Sequence, residues 1–188
     1  MARESKSKFA ILGLLAMGPR SGYDIKKAIE DGLCHFWNES YGQIYPTLNS
    51  LAEDGLAVRA TERTEGKPDR HVYTITDSGL AELHAWLTEP AEYHRERLEV
   101  LLKLFFGSAM TLEECLQHVT RFRDEYSEKL NYYLAIEQRV LETRAGHPNQ
   151  PFWLMTVSCG IWTSQAFIDW CNETIATLRK MSAESSNR

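Results

Sequence analysis

Apolar residues recur every three or four positions over most of this chain, and the rhythm changes to extended runs over one short stretch. From Phe9 to Met17 the run is compact and helical, and Gly18-Pro19 stops it. Ser21 stands where it can cap a second helix carrying Ile25 and Ile29, although the Gly22 that follows weakens that start. After the linker "CHFWNES", Ser40 is the expected N-cap of a third helix that Gly55 closes. Leu56–Thr64 and Arg70–Thr76 read as strands around the turn "EGKPD". Thr76-Asp77 then open a helix through "SGLAELHAWL". Past Pro90 the pattern is helical throughout: "EYHRERLEVLLKLFFGS" up to Gly107, a long helix from Thr111 to Arg144, and a last helix from about Pro151 to Ser182. Thr111 and Glu114 form a capping-box signature, Gly146-His147-Pro148 break the pattern, and the tail "AESSNR" is expected to fray.

Three helices followed by a hairpin describe a winged helix-turn-helix, so the expected fold is mainly α. Residues 1–88 would form the winged domain with its β-hairpin wing, and residues 91–184 a C-terminal helical domain. A small α+β domain without a nucleic-acid role has the same element order.

The third helix contains Pro46 about one and a half turns inside its start, where proline removes a backbone hydrogen bond. On a helical wheel Ile44, Leu48 and Leu51 form the buried stripe, while Gly42, Pro46 and Asn49 point the other way, flanked by Gln43, Ser50 and Tyr45. A small, polar, uncharged surface can approach the floor of a major groove, and Gln or Asn can pair with adenine edges. Pro46 is then tolerated because it faces outward and orphans only the carbonyl of Gly42 in the first turn. A kink that serves packing is the competing account.

Composition narrows the partners. With 43% hydrophobic and 25% charged residues the 188-residue chain is globular. No apolar run reaches the roughly 18–20 residues of a membrane span, so no membrane partner is expected. The basic-then-apolar start also resembles a leader peptide, but it runs on into a helical pattern without a small-x-small cleavage site. Net charge is −5, and residues 1–88 hold 10 basic and 12 acidic side chains, so positive charge for DNA must be local. Lys67 and Arg70 on the wing, and Arg3, Lys6 and Lys8 in the N-terminal arm, are phosphate-contact candidates. Cys34, Cys115, Cys159 and Cys171 form no CxxC pair and read as free buried thiols in a reducing cytoplasm. Cys115 and His118 lack a third ligand at motif spacing, so no metal or other cofactor is expected. The absence of GxSxG, phosphate-loop and HExxH motifs argues against an enzyme.

The two long helices carry apolar stripes. In the first, Leu112, Leu116, Val119, Phe122, Tyr126, Leu130, Tyr133 and Val140 follow helical spacing until Glu137 interrupts. In the last, Val157, Ile161, Ile168, Cys171, Ile175 and Leu178 share a side, with Trp162, Ala166 and Trp170 on another. A helix apolar on two sides needs two partners, and the second is expected to be another subunit. Val157, Ile161, Ile168, Trp170, Ile175 and Leu178 are the expected dimer interface. Trp153, Trp162 and Trp170 fit either subunit packing, which is favoured, or an aromatic ligand cage. Phe36, Trp37, His94 and Phe105 are an alternative ligand site at the domain junction.

The segments "FAILGLLAMGPRSGYDIKKAIE", "FWNESYGQIYPTLNSLAEDGLAV", "EGKPDRHVYTITDSGLAELHAWL" and "LLKLFFG" resemble the PadR family of bacterial transcriptional regulators over nearly the whole chain. The long C-terminal part looks like the larger subgroup of that family. The resemblance implies a homodimer on a near-palindromic double-stranded operator, most often repressing, in some members relieved by a small aromatic effector. It supports Tyr23, Gln43, Tyr45 and Pro46 at or near DNA, with Lys67 and Arg70 on the wing. Ser21, Tyr41, Asn49 and Lys8 complete the expected DNA-facing set.

Overall fold

The computed structural model describes residues 6–33, 36–37, 41–62, 69–92 and 97–186; the side chains of Tyr41, Ser185 and Ser186 are outside that description. Ser40, Lys67, His94 and Cys34 are outside it as well. The chain divides into two compact units, residues 1–93 and 94–188.

In the first unit, α1 (Ser7–Ala16) buries Phe9, Ile11, Leu12, Leu14 and Leu15. Apolar side chains point in nearly every direction because this helix is the centre of the core. Gly18 adopts a φ of 131°, open to glycine, and turns the chain out of α1. Arg20 then donates from Nε to the carbonyl of Leu14 at 3.0 Å, capping the end of α1. Arg20–Ser21 form a two-residue strand, β1, that the pattern of the sequence did not indicate. It pairs antiparallel with β3 (Arg70–Ile75), which pairs with β2 (Ala57–Glu62), giving the sheet order β1-β3-β2.

Ser21 also caps α2 (Gly22–Ala28) through a full capping box. Its hydroxyl accepts from the N–H of Asp24, and the Asp24 carboxylate accepts from the N–H of Ser21. The helix loosens into a π turn at Ile29–Leu33. Helix α3 (Tyr41–Glu53) contains Pro46 and ends at Gly55, whose φ of 73° suits a glycine C-terminus. Helix α4 (Asp77–Thr88) is capped by Thr76, whose hydroxyl accepts from Gly79 N–H at 3.1 Å and donates to the Gly55 carbonyl at 2.8 Å. One side chain thus ties the start of α4 to the turn after α3. Ile25, Ile29, Ile44, Leu48, Leu51, Leu56, Tyr73 and Leu83 complete the core around α1.

The second unit is built on two long helices, α6 (Leu112–Thr143) and α7 (Gln150–Ser186), preceded by a short α5 (Glu99–Phe105). The expected capping box at Thr111 and Glu114 is present. Phe122 packs near Trp170 while Tyr133 lies against Gly160, so the two helices run antiparallel. Ile136 is 5% exposed and carries the buried stripe past Glu137. Helix α5 is shorter than the sequence pattern suggested, because Leu98 is extended. Helix α7 continues to Ser186, past the point expected to fray. Among the described residues, no helix is long and apolar enough to cross a membrane.

Candidate nucleic-acid interface

Helix α3 presents two unlike faces. Ile44, Leu48 and Leu51 are 2%, 0% and 1% exposed, while Gly42, Gln43, Tyr45, Pro46, Asn49 and Ser50 are exposed. The helix continues through Pro46, whose ring meets no core there. A Cβ on Gly22 would fall 2.5 Å from the Tyr45 ring, so Gly22 is the residue that lets Tyr45 lie across the start of α2. The sequence reading took Gly22 only as a weak cap neighbour. Tyr23, on α2, is 67% exposed.

Asn49 is held from behind. The hydroxyl of Tyr73, on β3, donates to Asn49 Oδ1 at 3.1 Å. Helix α3 is thereby fastened to the sheet at the level of its outer face. Ser21 is 5% exposed and occupied with its cap, which makes it a positioning residue for α2 rather than an exposed contact.

The cations fall into two groups. Lys8 sits inside α1 and pairs with Glu82 of α4, so it does not belong to a loose arm. Lys6 pairs with Glu92 at 2.9 Å. Arg70 reaches Asp24 Oδ2 at 2.5 Å and lies 3.8 Å from Glu62, so carboxylates already neutralise it. Burial pushes the pKa of the Asp24 carboxyl up, but hydrogen bonds from the Ser21 hydroxyl and N–H and from Arg70 outweigh it and leave the pKa below the usual value. Arg59 and Lys27, by contrast, are exposed and make no ion pair among the described residues. Arg59 on β2 is directly opposite Tyr73 in the sheet, so both side chains stand on the face that α3 covers. Its signal in the sequence was weak, one arginine in an alternating strand.

In the second unit, the expected interface residues largely serve the chain itself. Val157, Ile175 and Leu178 are 1%, 5% and 8% exposed, and the last two pack with Cys115, Val119 and Cys171 against α6. Trp170 joins that cluster and meets Phe122 edge-on at 6.1 Å. Ile161 and Ile168 are half-buried. The open face of α7 is a different stripe: Phe152, Met155, Cys159, Trp162 and Ala166 are all exposed, with Trp162 at 74%. Cys159 is therefore not among the buried thiols. Trp153 stacks on His147 at 4.6 Å and is half-buried. Being nine residues apart at ~100° each, Trp153 and Trp162 face opposite sides of α7 and cannot form one cage. Phe36 and the half-buried Trp37 belong to the first unit and the 82% exposed Phe105 to the second.

A winged helix-turn-helix with an uncharged recognition surface, followed by a long helical pair, defines a class of transcriptional regulator. Residues 11–85 match the Transcriptional regulator PadR-like family, and residues 96–179 match Virulence activator alpha C-term. The chain belongs to the PadR family of transcriptional regulators, which are not enzymes. It is 39% identical over 108 residues to the Negative transcriptional regulator PadR of Bacillus subtilis (strain 168), a match spanning 57% of this chain and 59% of that protein. The crystal structure of Bacillus subtilis PadR in complex with operator DNA superposes with a TM-score of 0.81 at 28% identity, covering 91% of this chain and 98% of that one. The same regulator in complex with p-coumaric acid gives a TM-score of 0.76 at 28% identity over 92% and 98%.

Proposed function

We propose that this protein is a dimeric, sequence-specific DNA-binding repressor whose α3 enters the major groove of a near-palindromic operator, and that a small aromatic compound relieves repression. The observation that carries this reading is the outer face of α3: exposed, uncharged, and rich in side chains that can hydrogen-bond bases. The superposition on a relative crystallised with operator DNA supports it, and the relative's p-coumaric acid complex supports the aromatic effector.

Dimerisation is assigned to the open face of α7. Phe152, Met155, Cys159, Trp162 and Ala166 repeat at intervals of three and four, the spacing of a helix seam, and a row of exposed large apolar side chains marks an interaction surface. A second reading, transcriptional activation, draws on the match of residues 96–179 to a domain named for a virulence activator. Gel-shift titration of the protein on the DNA upstream of its own gene, with and without phenolic acids, tests the main reading. Retarded bands released by a phenolic acid are expected; no retardation at micromolar protein overturns it. A reporter fused to the retarded fragment separates repression from activation.

A further inference from the structure

We propose that Asn49 reads DNA as a hydrogen-bond donor only, and that Tyr73 is the positioning residue that makes it so. The inference rests on the DNA-binding reading above and specifies what one residue of the recognition helix recognises.

Tyr73 is 3% exposed, while Asn49, its partner across the α3–β3 contact, is exposed. Their atoms are 3.1 Å apart, with the Tyr73 hydroxyl against Asn49 Oδ1. The opposite amide orientation would place an N–H against the hydroxyl oxygen. The hydroxyl proton of a nearly buried tyrosine would then have no acceptor, at the cost of an unmade buried hydrogen bond. The orientation in which Oδ1 accepts is therefore the stable one. It turns the oxygen of the amide toward the sheet and leaves the NH2 group as the part directed away from it.

The consequence for recognition is chemical. Two-pronged pairing of asparagine with adenine needs Oδ1 and Nδ2 to face one base edge together, the oxygen accepting from N6 and the nitrogen donating to N7. With Oδ1 turned toward the sheet by Tyr73, Asn49 directs only its NH2 donors outward, although the oxygen keeps a second lone pair. Guanine shows two adjacent acceptors, N7 and O6, to such a group; adenine and thymine show one each, adenine beside an amino donor that an NH2 group cannot satisfy, and cytosine shows none. Asn49 should therefore favour guanine and reject cytosine at one position of each half-site. The wheel pattern alone, which permitted adenine pairing, could not distinguish these cases, because Tyr73 lies 24 residues further along.

The test is in vitro selection with the full-length protein on a randomised duplex library, comparing wild type with Asn49→Ala, Asn49→Asp and Tyr73→Phe. The wild type should enrich a consensus with guanine at one position per half-site. Asn49→Ala should lose about tenfold preference at that position and keep the others. Asn49→Asp keeps an oxygen for Tyr73 but removes the donor, and should lose the same position. Tyr73→Phe frees the amide to turn, and should admit adenine there while every other position holds. That change of base identity is not produced by a merely looser fold, and if Tyr73→Phe does not fold, the Asn49→Asp result decides. Adenine at the Asn49-dependent position in the wild type, an unchanged consensus for Asn49→Ala or Asn49→Asp, or a folded Tyr73→Phe that leaves that position unaltered, each overturns the inference. If wild type enriches no sequence at all, the DNA-binding reading fails and the inference falls with it; a wild-type consensus with an indifferent Asn49→Ala leaves that reading standing and removes only the inference.

Discussion

The two units of this protein solve the burial problem in opposite ways. In the first, three helices and a small sheet close around α1, and the side chains left outside on α3 are small or polar apart from the ring of Tyr45. In the second, two helices of 32 and 37 residues pack on each other with α5 against α6, and among the described residues large apolar side chains remain exposed. Phe152, Met155 and Trp162 on α7 are 63%, 65% and 74% exposed, and Leu102, Phe105 and Phe106 at α5 are 61%, 82% and 60% exposed. A helix pair cannot surround its own apolar surface, whereas a helix at the centre of three layers can. The first unit encloses its own core, and on the proposed reading the outer face of α3 is left for nucleic acid. The second leaves a row of large apolar side chains open along α7, which the proposed reading gives to a second subunit.

Putting a charge on the uncovered stripe should break this arrangement most severely. Trp162→Asp removes no intrachain core, because the indole is largely exposed. The expected outcome by light scattering is a fall from twice the 21.6 kDa chain mass to once. Operator affinity in a gel shift should drop by at least about 30-fold, the scale of a lost interface anchor. Thermal unfolding of the first unit should be unchanged. A variant that stays dimeric would show that another surface holds the subunits.

Glycine contacts sharpen the same contrast inside each unit. A Cβ on Gly79 would lie 2.2 Å from the backbone carbonyl of Leu56, and a carbonyl fixed between helix and strand cannot retreat. Gly79→Ala should cost about 2–4 kcal/mol of stability by chemical denaturation. A Cβ on Gly160 would lie 2.3 Å from the Tyr133 ring, a side chain at a helix–helix contact that can swing aside. Gly160→Ala should cost about 1 kcal/mol. Equal losses would mean that the helix pair is as rigid as the winged domain.

These differences bear on what could be read from sequence. The helices and the hairpin were legible because each repeats its own period, and the capping signatures at Thr76 and Thr111 lie within four residues of their partners. Strand β1 was not, since two residues after Gly18-Pro19 carry no period at all. The stripe on α7 was legible as two apolar sides, but periodicity does not say which side faces α6. Val157, Ile175 and Leu178, expected between subunits, are core residues of their own chain, and the open side is that of Phe152, Met155 and Trp162. The fates of Lys8 and Arg70 were hidden for a related reason. Their carboxylate partners lie 74 and 46 residues away, and only the fold brings them together.

A smaller effect separates the two ends of the capping network. Asp24 holds both the N-terminus of α2 and Arg70, and its carboxyl has a pKa below the usual value despite burial. A folded-state pKa lowered in this way contributes stability above the unfolded value, which is lost as pH falls through the folded one. Asp24→Asn should cost about 1 kcal/mol at neutral pH. It should also flatten the decline in stability of the first unit on acidification. A variant whose acid midpoint and steepness match the wild type would place the pH dependence elsewhere.

The smallest expected effect compares two arginines on neighbouring strands. Arg59 on β2 is exposed and has no ion pair among the described residues; Arg70 on β3 is held by Asp24 and Glu62. Each phosphate neutralised by a cation releases counterions and adds about 0.9 to the slope of log affinity against log salt. A cation already neutralised by carboxylates must give up those bonds to gain a phosphate, so it contributes less. Arg59→Ala should therefore lower the slope by about one unit for each half-site contact, with equal weakening on operator and scrambled DNA. Arg70→Ala should lower the slope by less and reduce thermal stability instead, because it breaks the tie between α2 and β3. Gel shifts at four or five salt concentrations, with melting curves alongside, distinguish the two. If Arg70→Ala gives the larger change in slope, the Asp24 pair opens on DNA, and the wing engages phosphate through a cation that the unbound protein keeps paired.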